Sequence, residues 1–192
     1  MGKPKILAFA GSARTNSFNK KLIKIAAAGA AEAGADVTVI DLRDFPMPLY
    51  DGDLEQQEGL PINARKLKDV MISHQGFLIS SPEYNSSITP LLKNTIDWAS
   101  RQSEGEASLV SFQGKVAGIM SASPGGLGGL RGLVHVRSTL ENIGVIVIPN
   151  QIAVAKAHEA FNTDGTLKDK KQEEQVKKIG VDLTKILLKL IG

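Results

Sequence analysis

Apolar runs of strand length alternate with helical stretches along this chain, and that alternation restricts it to a parallel sheet covered on both faces by helices. Residues 5–10 form the first strand-like run. A helix is expected over 17–33, where Leu22, Ile25, Ala26 and Ala30 fall near one face and Gly34 marks the stop. The second strand is expected at 36–41, followed by a long polar segment, 42–60, that carries Pro46, Pro48 and Gly52. Pro61 opens the next helix at its first position, with Leu67, Val70 and Met71 as a core face and Gly76 as its end. Strand three is expected at 77–80, a helix at 89–101, strand four from Lys115 and a further helix at 129–143. Strand five, 145–148, is nearly all β-branched, the pattern of a strand with both faces covered. Val176, Ile179, Leu183, Ile186, Leu187 and Leu190 then repeat at helical spacing, with Glu173–Lys177 and Glu174–Lys178 ordered as i,i+4 pairs. Right-handed crossovers between five strands favour the order 2-1-3-4-5 in a doubly wound sheet. No repeat or linker interrupts the pattern, so residues 1–192 are expected to form a single domain.

Composition narrows the function. The 42% of hydrophobic residues suits a soluble globular protein, and no apolar run reaches the roughly 18 residues of a membrane helix. Met1-Gly2-Lys3-Pro4 leads straight into a strand-like run, which is unlike a secretory signal; a cytoplasmic protein with no membrane partner is expected. Cysteine is absent, which removes disulfides, thiolate nucleophiles and cysteine-based metal centres from consideration. The net charge of +3 comes largely from lysines mixed with acids, without interleaved aromatics, so no nucleic-acid partner is expected.

Three Gly- and Ser-rich loops each follow a strand-like run, which places all three outside the carboxyl ends of a parallel sheet, where such sheets bind ligands. In the first, Gly11-Ser12-Ala13-Arg14-Thr15-Asn16-Ser17, a helix N-terminus offers free N–H groups to a phosphate, Ser12, Ser17 and Asn19 add polar side chains, and Arg14 adds a charge. Neither a Walker lysine nor a Gly-x-Gly-x-x-Gly pattern is present. Serine at a helix start is also an ordinary cap, so both readings stand for this loop alone. In the second, Pro82-Glu83-Tyr84-Asn85 sets an aromatic between turn-forming polar residues; it suits either the border of a flat polar ring or a turn in which Tyr84 covers the core. The third runs from Ser121 through Pro124, Gly125 and Gly126 to Gly129, and reads either as a close backbone approach to a ring or as a surface loop. Taken together, a phosphate loop and two ring loops on one edge suggest flavin mononucleotide, FMN.

The motifs Gly11-Ser12-x-Arg14-x-x-Ser17-x-Asn19-x-x-Leu22, Pro82-Glu83-Tyr84-Asn85, Leu92-Lys93-Asn94-x-Ile96-Asp97-Trp98 and Ser123-Pro124-Gly125-Gly126 stand in one order over most of the chain up to Ile148. In this the chain resembles the NADPH-dependent FMN reductases, which include bacterial quinone, azo-dye and chromate reductases. The resemblance implies a flavodoxin-like fold and a tightly held FMN, reduced by NADPH or NADH and reoxidised by a small acceptor such as a quinone in a ping-pong sequence. By motif it implies that Ser12, Arg14, Ser17 and Asn19 hold the phosphate. Pro82, Glu83, Tyr84 and Asn85 would border the ring largely through backbone atoms, and Ser121, Gly125 and Gly126 would approach its other side. It also implies a homodimer or homotetramer, in which Tyr50 and Asp51 could reach a neighbouring subunit's flavin. One departure from the family pattern is Thr89-Pro90, where a Pro-Gly pair is common. No side chain is assigned as a general acid, since the hydride chemistry belongs to the cofactor.

Other residues receive structural readings. Trp98 is read first as a helix-core or subunit-contact residue. His74 is read as a surface residue at a helix end, and His158 as a loop residue. The three histidines lack ligand spacing, so no metal is expected. The alternative function is a flavodoxin-type FMN carrier reduced by a protein partner. Such carriers are usually acidic and often flank the ring with large aromatics, whereas this chain carries a positive net charge and only 5% aromatics.

Overall fold

The computed structural model describes residues 2–191. Strands β1 (Lys5–Ala10), β2 (Asp36–Val39), β3 (Gly76–Ser80), β4 (Val116–Ala122) and β5 (Ile146–Val154) form one parallel sheet in the expected order β2-β1-β3-β4-β5. The helices are α1 (Phe18–Glu32), α2 (Gly52–Glu58), α3 (Ile62–Ile72), α4 (Pro90–Ala99), α5 (Leu130–Asn142), α6 (Ala157–Ala160) and α7 (Lys170–Ile191).

Alternation along each strand sends side chains into two cores. Ile6 and Ala8 of β1 join Leu22 and Ala26 of α1 and Val176, Ile179 and Leu183 of α7 on one face. Leu7 and Phe9 join Leu67 and Met71 of α3, Leu92 and Ile96 of α4, and Leu133 and Val136 of α5 on the other. Each such large aliphatic side chain contributes roughly 1.5–3 kcal/mol by leaving water. On the first face α1 and α7 touch through their backbones. A Cβ at Gly180 would stand 2.0 Å from the carbonyl oxygen of Ala26, and one at Gly29 would stand 2.3 Å from that of Lys177.

Several local expectations are corrected. β2 stops at Val39, and Asp41 caps a short 3-10 turn, Leu42–Asp44, by accepting from Arg43 N. The polar 42–60 segment contains α2, capped by Asp51. β5 runs on to Val154 through a register shift opposite Ala117–Ile119. Beyond the expected end at Ile148, the Arg137 guanidinium donates to the carbonyls of Val147 and Ile148 and to Gln151 Oε1, which carries the strand across the irregularity. β5 is also an edge strand, with Ile146 exposed, rather than one covered on every side. His74 is buried, its ring bonded to the Val70 carbonyl and the Thr38 hydroxyl, and His158 lies in α6. The two expected pairs on α7 are not formed; Lys177 turns to Glu32 on α1 and Lys178 to Asp182.

The α1–α7 contact yields a test. Gly180→Ala should cost about 3 kcal/mol, the upper end for overpacking, because the methyl meets backbone that cannot swing aside. The melting temperature should fall by about 6–12 °C at that cost, measured by circular dichroism; an unchanged Tm would mean that the two helices do not cross this closely.

Candidate functional site

The carboxyl ends of β1, β3 and β4 lie side by side, with Ala10 paired to Ser80 and Ser80 to Met120. The three loops seen in sequence leave these ends together, and one side chain joins them. Asn19, 3% exposed in the first turn of α1, donates from Nδ2 to the Ala122 carbonyl at 2.8 Å. Its Oδ1 accepts from Ser80 Oγ at 2.8 Å and from Ala122 N at 3.0 Å. The amide therefore binds the phosphate-loop helix to the ends of β3 and β4, where the sequence reading had aimed it at a ligand.

In the first loop Ser17 is the N-cap of α1 and accepts from Asn19 N at 3.2 Å. Ser12 is buried and its hydroxyl accepts from Arg14 N at 3.4 Å; Arg14 is exposed. The N–H groups of Ser12, Ala13, Asn16 and Phe18 find no acceptor among the described residues. Orphan donors at a helix start, beside two hydroxyls and a guanidinium, are the chemistry an anion requires. Thr89 completes the loop from outside, donating to the Gly11 carbonyl at 2.7 Å while accepting from Leu92 N at 3.1 Å. The unusual Thr89-Pro90 pair thus starts α4 as an N-cap with proline in the first turn and fastens it to the first loop.

The second loop is a tight turn. Tyr84 and Ser87 exchange backbone hydrogen bonds, both at 3.0 Å, around Asn85 (φ 50°) and Ser86 (φ 66°). Two left-handed residues in succession are the signature of a type I′ turn. Tyr84 and Asn85 are exposed and Pro82 is buried. The Glu83 side chain turns to α5, where Oε2 accepts from Gly132 N at 3.0 Å and Oε1 from Arg131 Nη2 at 2.7 Å. Burial pushes this carboxyl up, but the Gly132 N–H and the Arg131 guanidinium outweigh it and hold the group below its ordinary value. Arg131 and Gly132 escape sequence reasoning, since nothing in their spacing relates them to Glu83.

The glycines of the third loop divide into two pairs. Gly128 and Gly129 have positive φ, and a Cβ at Gly129 would fall 1.9 Å from Ser121 Oγ. Ser121 is fully buried beneath Gly129, with no hydrogen-bond partner for its hydroxyl among the described residues. Gly125 and Gly126 have neither positive φ nor a crowded Cβ; the nearest atom to a Cβ at Gly125 is 3.7 Å away, and Gly126 has none within 4 Å. The protein's own packing does not ask for glycine there, and the N–H of Gly126 has no acceptor among the described residues.

A cleft of about 80 Å³ opens where the loops converge, bounded by Ser12, Arg14 and Ser17, by Pro82, Glu83 and Tyr84, and by Ser123 and Pro124. A wider cleft, about 860 Å³, flanks α1 and shares only Ser17 with it. Its lining mixes Lys20, Lys24 and Arg43 with Asp41, Asp164 and Glu173, and Lys20 is already bound to Asp41 and Arg43 to Thr15. The smaller cleft is therefore the candidate site. Tyr50 and Trp98 lie elsewhere: Trp98 is fully buried and donates to the Pro48 carbonyl, as does Asn94, while Tyr50 stacks edge-on against Trp98 and bonds Glu55. The Leu-Lys-Asn-x-Ile-Asp-Trp stretch thereby anchors the segment before α2.

Residues 4–159 match the family described as NADPH-dependent FMN reductase. The chain is 34% identical over 192 residues to a probable NADPH:quinone oxidoreductase 2 of Oryza sativa, covering 98% of this chain and 91% of that one. It is 32% identical over 173 residues to an NAD(P)H-dependent FMN reductase of Pseudomonas aeruginosa, covering 90% and 89%. Among solved structures, FerB of Paracoccus denitrificans, a flavoenzyme NAD(P)H:(acceptor) oxidoreductase, superposes with a TM-score of 0.80 at 27% identity over 97% of this chain and 98% of that one.

Asn19→Ala should leave Ser80 Oγ and both polar backbone groups of Ala122 without their partner. A loss of about 3 kcal/mol in urea unfolding is expected, from buried groups costing roughly 1–3 kcal/mol each with partial relaxation. A stability within ~0.5 kcal/mol of the native protein, the range of ordinary surface changes, would show that the amide is not the tie between the loops.

Proposed function

The chain belongs to the NADPH-dependent FMN reductase family and is an NAD(P)H-dependent oxidoreductase, and from that premise we propose that it holds one FMN across the ends of β1, β3 and β4 and delivers electrons to a small acceptor such as a quinone. The observation that carries this reading is the meeting of a donor-rich helix start with two backbone-lined loops in one cleft. Ser12, Arg14, Ser17 and the free N–H groups beside them would hold the phosphate. Asn19 serves that site as a positioning residue, through Ser80 and Ala122. Pro82, Glu83, Tyr84 and Asn85 would border the ring by their backbone, with Tyr84 near its plane. Gly125 and Gly126 would approach the other side, where their missing side chains leave room, and Ser121 would support that wall from beneath Gly129.

Bound FMN would supply the two-electron chemistry between the nicotinamide and the acceptor. The chain's part would be to orient the two reactants in turn, as a ping-pong sequence requires. No side chain is assigned as a general acid, since the hydride chemistry belongs to the cofactor. The proposal extends to a homodimer or homotetramer acting in the cytoplasm; no helix of the described residues is long and apolar enough to cross a membrane.

An anaerobic visible spectrum tests the reading. The purified protein supplied with FMN should show a flavin band that NADPH or NADH bleaches and a quinone restores. A band unchanged by either nucleotide would make the chain a carrier instead. Arg14→Ala tests the phosphate assignment separately. It should weaken FMN binding by about tenfold or more, as loss of a charged hydrogen bond does, and leave riboflavin binding unchanged. Equal losses for both flavins in a titration would place Arg14 somewhere other than the phosphate.

A further inference from the structure

α5 begins at Leu130, and its N-cap, Gly129, has no side chain with which to accept a hydrogen bond. No acidic residue lies in its first turn. The acceptor comes instead from another loop: Glu83 Oε2 takes the Gly132 N–H at 3.0 Å, the bond an N-cap side chain would make to the third helical residue. Arg131, on the same turn, gives both Nε and Nη2 to Glu83 Oε1, at 3.0 and 2.7 Å. Gly132 is what lets the loop lie on the helix. A Cβ there would stand 3.2 Å from both Glu83 Cβ and the Ser87 carbonyl oxygen. One turn further along α5, His135 Nδ1 lies 2.8 Å from Ser87 Oγ and fixes the far end of the same turn. The loop that would border the ring is thus pinned along one face of the helix that follows the glycine loop.

Resting on the FMN reading above, we infer that Glu83 is a positioning residue that fixes the ring-binding loop on α5, and that the Glu83–Arg131 pair sets the charge balance at the edge of the flavin. Glu83 lines the cleft, and its carboxylate offsets the positive end of α5 as well as the guanidinium. A flavin gains negative charge on reduction, so fixed charges beside it bias its potential. Removal of Glu83 leaves a net positive change and favours the reduced form; removal of Arg131 leaves a net negative change and favours the oxidised form. Either substitution breaks the same ion pair, so a purely structural role would move the two variants alike.

The experiment compares Glu83→Ala and Arg131→Gln by three readouts. In flavin-free protein, hydrogen exchange of the Gly132 amide should be faster in Glu83→Ala, which removes its acceptor, and native-like in Arg131→Gln. FMN titrated into flavin-free Glu83→Ala should bind about tenfold more weakly, the consequence of losing charged hydrogen bonds that hold the loop. The midpoint potential of bound FMN should rise in Glu83→Ala and fall in Arg131→Gln. Potentials that are unchanged, or that move in the same direction, would overturn the charge-balance assignment, and a Gly132 amide equally protected in both variants would overturn the positioning role. Failure of the native protein to bind FMN would sink the parent reading and the charge-balance assignment that rests on it; the Gly132 exchange still decides whether Glu83 holds the loop.

Discussion

The Asn19 side chain is the interaction on which the site depends. A parallel sheet brings strand ends into line, but the loops beyond those ends are free to splay unless something crosses between them. Asn19 does so from the first turn of α1, using its amide against Ser80 on β3 and against both backbone groups of Ala122 on β4. Thr89 repeats the device between the first loop and α4. Both ties are buried and made of neutral hydrogen bonds, so they hold the loops without placing charge where an anionic ligand would sit.

Charge is distributed in the complementary way. The start of α1 keeps several donors without protein acceptors and has no acid in its first turn, so its field remains available to a phosphate. The start of α5, at the same edge of the sheet, is neutralised from across the site by Glu83. Two helix N-termini therefore stand at one edge of the sheet with different consequences. One keeps donors without protein acceptors, and the other is closed by a carboxylate that also holds the turn between them. The two glycine pairs of the third loop follow the same division. Gly128 and Gly129 answer to the chain's own packing against residues 153–155 and Ser121, while nothing in the protein crowds a side chain at Gly125 or Gly126.

Much of this was legible in the sequence. Periodicity identified all five strands, their order and the main helices, because apolar runs bounded by glycine and proline leave few arrangements. It failed where a distant side chain supplies what local sequence lacks. β5 crosses Pro149 because Arg137 accepts the burden of its stray carbonyls, and His74 is buried because Val70 and Thr38 satisfy its ring. The site was legible as three loops but not in the roles of their side chains. Ser12, Arg14, Ser17, Pro82 and Tyr84 do line one cleft. Asn19 and Glu83 line it too, but their polar atoms are taken up by partners 48 to 103 residues distant, and the Ser121 hydroxyl is buried under Gly129 without a hydrogen-bond partner among the described residues. Motif spacing records that a residue type is needed, not which way it faces.

The last constraint joins stability to the site through a single helix. α1 carries the orphan donors at its start and the Asn19 tie one residue inside it, so its direction decides where those donors point. That direction is set about three turns later, where Gly29 and Gly180 let α1 and α7 meet backbone to backbone. A contact this close allows little sliding, since carbonyl oxygens rather than flexible side chains form the stop. α7 itself packs across β3 and β4 through Gly76 and Gly118, where Leu187 and Ile179 fill the space a Cβ would need. The strand ends that hold the second and third loops and the helix that begins the first are therefore located by one packed helix on the far side of the sheet from α4 and α5. A disturbance at the α1–α7 crossing would reach the cleft by tilting the donors of the first loop relative to the other two, although no residue of the crossing lines it.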